Sequence, residues 1–431
     1  YALKQYSLSL YQKKSITMKS ITISYAHSLV PDTALQEYIT ALKQEINRIQ
    51  QLHLHEYSSP YSFINLVSDA VLRDQVHELV TRTKALNPKA LVLIGIGGSN
   101  TGTRALQEAL LGIYYNQHDP DIAIYYADTV DTDSIWDIVL LIEKQFELGN
   151  DIILNVVSKS GTTLETVANF ELFITLLKKY KGHTYNNYVV VTTDADSALW
   201  RLAQQHQFAF LEIPAAIGGR YSALSAVSLF PMALLGIDID ALHEGARSLV
   251  PSLLSTDHND AALIAAVLAY HYNRGLAIHN TFLFSVDLAT TGSWYRQLMG
   301  ESIGKQTPAG VRVGITPTVS IGSIDLHSVA QLYLAGPINT VTSFVTVATN
   351  KSNLSLDDAP FADTLIPSIH AKTFTYIMNA IAHGTQQAYI QAQLPFITIE
   401  LPEKNAYYMG QFLQLQMLQI VYLGYLLDIN P

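Results

Sequence analysis

Residues 90–102 read ALVLIGIGGSNTG, an unbroken apolar run that ends in glycines and small polar residues, and the helix-patterned TRALQEALLGIYY follows at 103–115. A strand without polar alternation is buried on both faces, and a helix directly after it carries the chain back to start a parallel neighbour. The same unit recurs downstream. DIAIYY (121–126), DIILNVV (151–157), YVVVT (188–192) and FAFLEI (208–213) read as further strands, with LETVANFELFITLLKKY (164–180) and ADSALWRLAQQH (195–206) as helices between them. After a helical stretch over about 223–275 the alternation resumes: strands TFLFSVD (281–287), NTVTSFVTVA (339–348) and PFITIEL (395–401), helices DLHSVAQLYL (325–334) and TQQAYIQAQ (385–393). The expectation is an α/β protein with two layered units and parallel sheets, whose ligands gather at the carboxyl ends of the strands.

Around these units the pattern predicts an N-terminal helical region over 18–85, with Asp32 as a cap. The first α/β domain is predicted over 86–235, connecting helices over 236–275, the second domain over 276–407 and a last helix over 408–431. Residues 1–17 carry three Lys and no acid, lack an apolar core for a secretory signal, and read as an extension without a function of their own.

Composition narrows the function classes. With 431 residues, 49% apolar and 14% charged, the chain can fill two cores, which excludes wholesale disorder. Its net charge of −10 argues against a nucleic-acid or anionic-membrane partner. It has no Cys, so thiolate catalysis, disulfides and Cys-based metal clusters are excluded, and His53 and His55 lack ligand spacing. Nothing in the sequence reads as a metal site. The uncharged stretches 221–237 and 406–427 contain Pro231 and three Ser, and four Gln, respectively; buried helices of a cytoplasmic protein are the expectation.

Two strand-to-helix loops carry the first chemical signal. Gly95-Ile96-Gly97-Gly98-Ser99-Asn100-Thr101-Gly102 fails as a dinucleotide fingerprint, because Asn100 stands where Gly is required. It fails as a Walker loop because Thr103 and Arg104 follow Gly102. The physics common to both motifs remains: close backbone approach and a helix N-terminus suited to an anion. In Ser158-Lys159-Ser160-Gly161-Thr162-Thr163, five of six residues bring a hydroxyl or ammonium donor, more than a helix cap needs. That density suits a phosphate monoester.

Three further segments supply candidates for the acting groups. Arg220, in Gly218-Gly219-Arg220-Tyr221-Ser222, could stabilise an oxyanion, although taken alone it reads more readily as a salt-bridge residue. Glu301 lies between Gly300 and Gly304 in an apolar neighbourhood, where a carboxylate could be desolvated and made a stronger base, or could pair with Lys305. His327 follows Asp325, a candidate cap, near the start of a helix, and could accept or pass a proton.

Taken in order, LIGIGGSNTGTRAL, VVSKSGTTLET, IGGRYSALSAVSLFP, RQLMGESIGK, SIDLHSVAQLYLAGP and GQFLQLQMLQIVYLGYLLDINP resemble the phosphoglucose isomerase family, over a span from about residue 90 to the end. The resemblance implies two sugar-isomerase, flavodoxin-like three-layer α/β/α domains with flanking helices. It implies reversible interconversion of glucose 6-phosphate and fructose 6-phosphate in glycolysis and gluconeogenesis, without cofactor or metal. By the same resemblance, Ser158, Lys159, Ser160 and Thr163, with Gly98 and Ser99, would hold the phosphate. Glu301 would move the proton, Arg220 would stabilise a cis-enediolate, and Gln297 would bind the sugar. His327 would assist ring opening from the second subunit of a homodimer. The family pattern continues past INP through a QPGVE-type segment to a catalytic Lys, while this sequence ends at Pro431. A fragment of a longer product is the expectation; a sugar-phosphate-binding protein without catalysis is the alternative. Gln306-Thr307-Pro308 is also less charged and less Gly-rich than usual in bacterial relatives, which leaves that loop's conformation open.

Overall fold

The computed structural model describes residues 20–53, 57–357, 359–366 and 368–431; the 1–17 extension lies outside the described residues. In chain order the strands are β1 (Thr22–Ser24), β2 (Pro88–Ile94), β3 (Ala123–Ala127), β4 (Asp151–Val157), β5 (Val189–Thr193), β6 (Ala209–Glu212), β7 (Ile278–Leu283), β8 (Lys305–Gln306), β9 (Arg312–Val313), β10 (Thr316–Ile321), β11 (Thr340–Thr349) and β12 (Phe396–Glu403).

The apolar runs of the first unit form a five-stranded, all-parallel sheet in the order β3-β2-β4-β5-β6. Alternate residues serve opposite layers, as the strand period of two requires. Leu91, Ile153 and Val190 join the core shared with the helices Ala226–Leu234 and Ile239–Leu253. Val92, Ile94, Leu154 and Val156 face the helices Thr132–Glu147 and Leu164–Lys181. All seven are essentially buried, so truncating any of the Leu or Ile side chains to Ala costs roughly 2–5 kcal/mol.

The second sheet runs β1-β12-β11-β7-β10, with β1 antiparallel and the rest parallel. Two of its strands carry no apolar signal in sequence: β1 is three residues long, and β10 is a half-buried edge strand containing Pro317. The strand expected at 281–287 runs from Ile278 and ends at Leu283, which leaves Asp287 in the 3-10 turn Val286–Leu288 beyond it. In both sheets chain order reverses between the first and third parallel strands, and ligand crevices open at such switch points.

The N-terminal region forms a helix Asp32–His53, a 3-10 segment Pro60–Ser68 and a helix Ala70–Lys84. Asp32 is the first residue of its helix, in place of the cap expected before it. The helix Ala406–Leu426 is buried along most of its length between Ile239–Leu253 and Asp260–Tyr272. Two of its four glutamines are bonded: Gln411 accepts from the Ile21 amide and Gln419 donates to the Tyr295 hydroxyl, while Gln414 is buried with neither amide atom paired. No described helix is long and apolar enough to cross a membrane.

Candidate active site

The site assembles at the carboxyl edge of the first sheet. The loop after β2 makes a 3-10 turn, Gly97–Ser99, that packs on a second turn, Gly219–Leu224. Contact is so close that a Cβ on Gly98 would stand 2.4 Å from the Gly219 carbonyl carbon, which only glycine avoids. Ser222 Oγ donates to the carbonyls of Gly219 (2.7 Å) and Gly98 (3.3 Å), fixing the two turns together. Ser99 is half-buried, and Asn100 donates to Asp128 at 2.9 Å.

The loop after β4 is built to present hydroxyls. Ser158, buried at the strand end, accepts from the Gly161 amide and lies 3.1 Å from Thr163 Oγ1. Gly161 takes φ +72, and a Cβ there would collide with the Leu199 backbone. Thr163 is the N-cap of the helix Leu164–Lys181 yet makes no capping hydrogen bond. The first turn of that helix therefore keeps amide donors and a positive dipole end for an anion. Ser160 is exposed and accepts from the Thr162 amide. Lys159 departs from its simplest reading: Nζ donates to the carbonyls of Ala215 (2.7 Å) and Ile217 (2.9 Å), tying this loop to the segment that leads to Arg220.

The helix Ala289–Ile303 brings the remaining groups. Gln297 and Glu301, one turn apart, share a face, and Gln297 Nε2 donates to Glu301 Oε1 at 2.9 Å. Thr101 Oγ1 donates to Gln297 Oε1 at 3.0 Å, which fixes the amide's orientation. Arg220 approaches from the first domain: its Nη1 lies 3.8 Å from Glu301 Oε2 and its Nε donates to Ser302 Oγ at 2.7 Å. Tyr221 is buried beneath, its hydroxyl 3.2 Å from Ser302 Oγ and its ring stacked on Phe63. Burial pushes that phenol up to about 12, so it stays neutral and available as a hydrogen-bond partner.

Two expectations change here. Glu301 is not desolvated; its side chain is 53% exposed, open to a ligand. It does not pair with Lys305, whose ammonium donates to the carbonyl of Asn430, and whose loop closes as the β8–β9 hairpin. Lys305 is pushed down by burial and by Arg220 beside it. His327 also differs: it ends a 3-10 turn, Ile324–His327, the helix itself begins at Ala330, and Asp325 accepts from the Ile321 amide and Ser328 hydroxyl instead of capping that helix. His327 is exposed, and among the described residues no hydrogen bond or ion pair joins it to Glu301 or Arg220. Ser302 and Thr101 escaped sequence reasoning. Each is a single hydroxyl inside a motif that no local pattern singles out, and only the fold brings Ser302 to an Arg 82 positions away.

A half-exposed carboxylate beside a guanidinium is a pair that can take up and return a proton while charge that develops beside it is stabilised. Residues 80–415 match the model of the family described as Phosphoglucose isomerase, and the chain belongs to that family. It is 32% identical to a glucose-6-phosphate isomerase of Thermus thermophilus over 363 residues, covering 81% of this chain and 82% of the relative. It is 30% identical to that of Methanocaldococcus jannaschii over 401 residues, 91% and 94% of the two chains. Among solved structures, a Thermus thermophilus protein described as hypothetical superposes with a TM-score of 0.84 at 29% identity, covering 95% of both chains. A Chlamydia trachomatis glucose-6-phosphate isomerase, at TM-score 0.79 and 20% identity over 95% of this chain and 85% of that one, shares the fold.

Proposed function

We propose that Glu301, Arg220 and Gln297, with His327 from a second subunit, interconvert glucose 6-phosphate and fructose 6-phosphate in this chain. The single observation that carries the assignment is the Arg220–Glu301–Gln297 cluster at 3.8 and 2.9 Å, at the edge where the hydroxyl-rich loop stands.

An aldose–ketose shift needs one base that takes a proton from carbon 2 of the opened aldose and returns it to carbon 1. The electron pair left behind becomes an enediolate. Glu301 is the base: Gln297 holds one of its oxygens and the other is open to a ligand. Arg220 is the counter-charge for the enediolate, held by Ser302 so that its fork is set before substrate arrives. Ser158, Ser160 and Thr163, with Gly98 and Ser99, hold the phosphate at a helix N-terminus, and Lys159, tied to the Ala215 and Ile217 carbonyls, fixes that loop and adds positive charge near it. Remote binding of that dianion positions the reacting carbons against Glu301.

His327 serves ring opening in a homodimer. Among the described residues of one chain no hydrogen bond or ion pair joins it to Glu301, and Ile324, Leu332 and Ile338, in the segment around it, are each 60% exposed, apolar surface suited to a second copy. The reaction belongs to cytoplasmic glycolysis and gluconeogenesis. A coupled assay on fructose 6-phosphate with the purified protein tests the whole reading. Glu301→Gln should lower kcat by roughly 10²–10⁴-fold. Undiminished turnover in that variant would remove Glu301 from the chemistry.

A further inference from the structure

The second sheet repeats the topology that sets the first site, with its switch point between β7 and β11. A cavity of about 560 Å³ opens there. Three strand ends line it: Ser285 and Asp287 after β7, Asn350, Lys351 and Ser352 after β11, and Lys404 after β12. Lys404 donates to Ser285 Oγ at 3.0 Å and to Asp287. Lys351 donates to the Leu110 carbonyl, at the C-terminal end of the helix Thr101–Leu111.

One lining carboxylate therefore answers two lining ammonium groups. Glu403, next to Lys404 in sequence, lines a different cleft with β1 and Asp260. The cavity is a locally positive hollow in a chain of net charge −10. Burial, then the Lys404 charge, pushes the Lys351 ammonium down, and Asp287 offsets this only in part; an anion between the lysines would relieve both. Ser285, Ser352 and Asn350 add neutral donors around the same space, the mixture a phosphate recognises.

We propose that this cavity is a second ligand site, for a small phosphate-bearing anion, separate from the isomerase centre. The separation is built into two antiparallel helices. Thr101–Leu111 has Thr101 at the isomerase centre and Leu110 at the cavity; Ala289–Ile303 starts beside Asp287 and carries Glu301 about 18 Å further along its axis.

The test is calorimetric titration of inorganic phosphate into intact protein whose isomerase centre is filled with a hexitol 6-phosphate, an open-chain polyol that cannot isomerise. Phosphate should still bind. Ser352→Glu, which sets a negative charge at the exposed mouth, and Lys351→Met should each weaken that binding at least about tenfold. Ser352→Glu should leave turnover of fructose 6-phosphate in phosphate-free buffer unchanged, since Ser352 makes no contact in the fold's interior. Absence of phosphate binding in the filled protein overturns the proposal. So does phosphate binding that Ser352→Glu leaves at full strength. The variant comparison decides the matter even if the hexitol phosphate does not bind, because the first sheet's loops contain neither residue.

Discussion

The two sheets share one parallel strand order but differ in their interiors and at their ends. In the first, β2 is apolar from Ala90 to Ile94, β4 buries one mid-strand polar side chain, Asn155, against β5, and the groups of the candidate site stand in the loops beyond the strand ends. In the second, the equivalent strand β7 buries His279, Asn280 and Thr281 in its middle. His279 bonds Ser343 on β11 and Tyr295 on the helix Ala289–Ile303, while Asn280 accepts from Thr318 and Ser320 on β10. Strand order is thus indifferent to what a sheet does. Function follows from where polar groups are allowed to sit: in loops they meet ligands, in the interior they must satisfy one another.

The comparison is broken most forcefully at the first sheet's edge. Arg220→Met keeps the length of the side chain and removes the counter-charge, and kcat on fructose 6-phosphate should fall about 10²–10³-fold. Retained kcat would mean that the edge groups do not stabilise the reacting oxyanion. Gly98→Ala sharpens the same point without touching a functional side chain. Its Cβ must push the Gly219–Arg220 backbone away, and displacement of that order costs about 10²-fold in kcat. Circular dichroism melting should find the variant folded; full activity would show that the two turns need not touch.

Much of this architecture is legible in the sequence for a physical reason. Parallel strands buried on both faces leave long apolar runs, so β2, β4, β5, β11 and β12 announce themselves. β10 does not, because an edge strand that is half-buried needs no such run and can hold Pro317. Ser158 and Thr163 were readable as candidates because they share one loop. The closeness of Glu301, Arg220 and Ser302 was not readable, since it depends on contacts across some 80 positions that no local pattern encodes. Lys159 was readable as a donor, but its carbonyl partners at Ala215 and Ile217 emerge only from the fold.

Two buried histidines, His279 in the second sheet and His243 on the helix Ile239–Leu253, should make stability acid-sensitive. Burial lowers His279 to about 3, and lowers His243, bonded to the Leu224 carbonyl, to about 4. Both lie below the free imidazole value of about 6.5, so the unfolded chain binds protons first. The contribution is whole above pH 6.5 and is lost as pH falls toward 4 and then 3. Each ring can remove up to about 1.4 kcal/mol per pH unit inside its window. Urea unfolding at a series of pH values should record the decline, and His279→Gln should flatten its slope. An unchanged slope would mean that the ring is accessible to protons in the fold.

Ser302 carries the smallest effect, and it tests whether the edge groups act singly or as a set. It touches no substrate in the proposed reaction; it orients Arg220 through the 2.7 Å bond to Nε and shares its hydroxyl with Tyr221. Ser302→Ala leaves the guanidinium charged but free to rotate, and losing one such charge-assisted hydrogen bond corresponds to about tenfold in rate. Because the bond fixes a group that matters in the transition state, the loss should fall on kcat with KM unchanged. Ser302→Thr, which keeps the hydroxyl, should recover most of it. A change in KM alone, or equal losses in both variants, would make Ser302 a packing residue and leave Arg220 oriented by Glu301 instead.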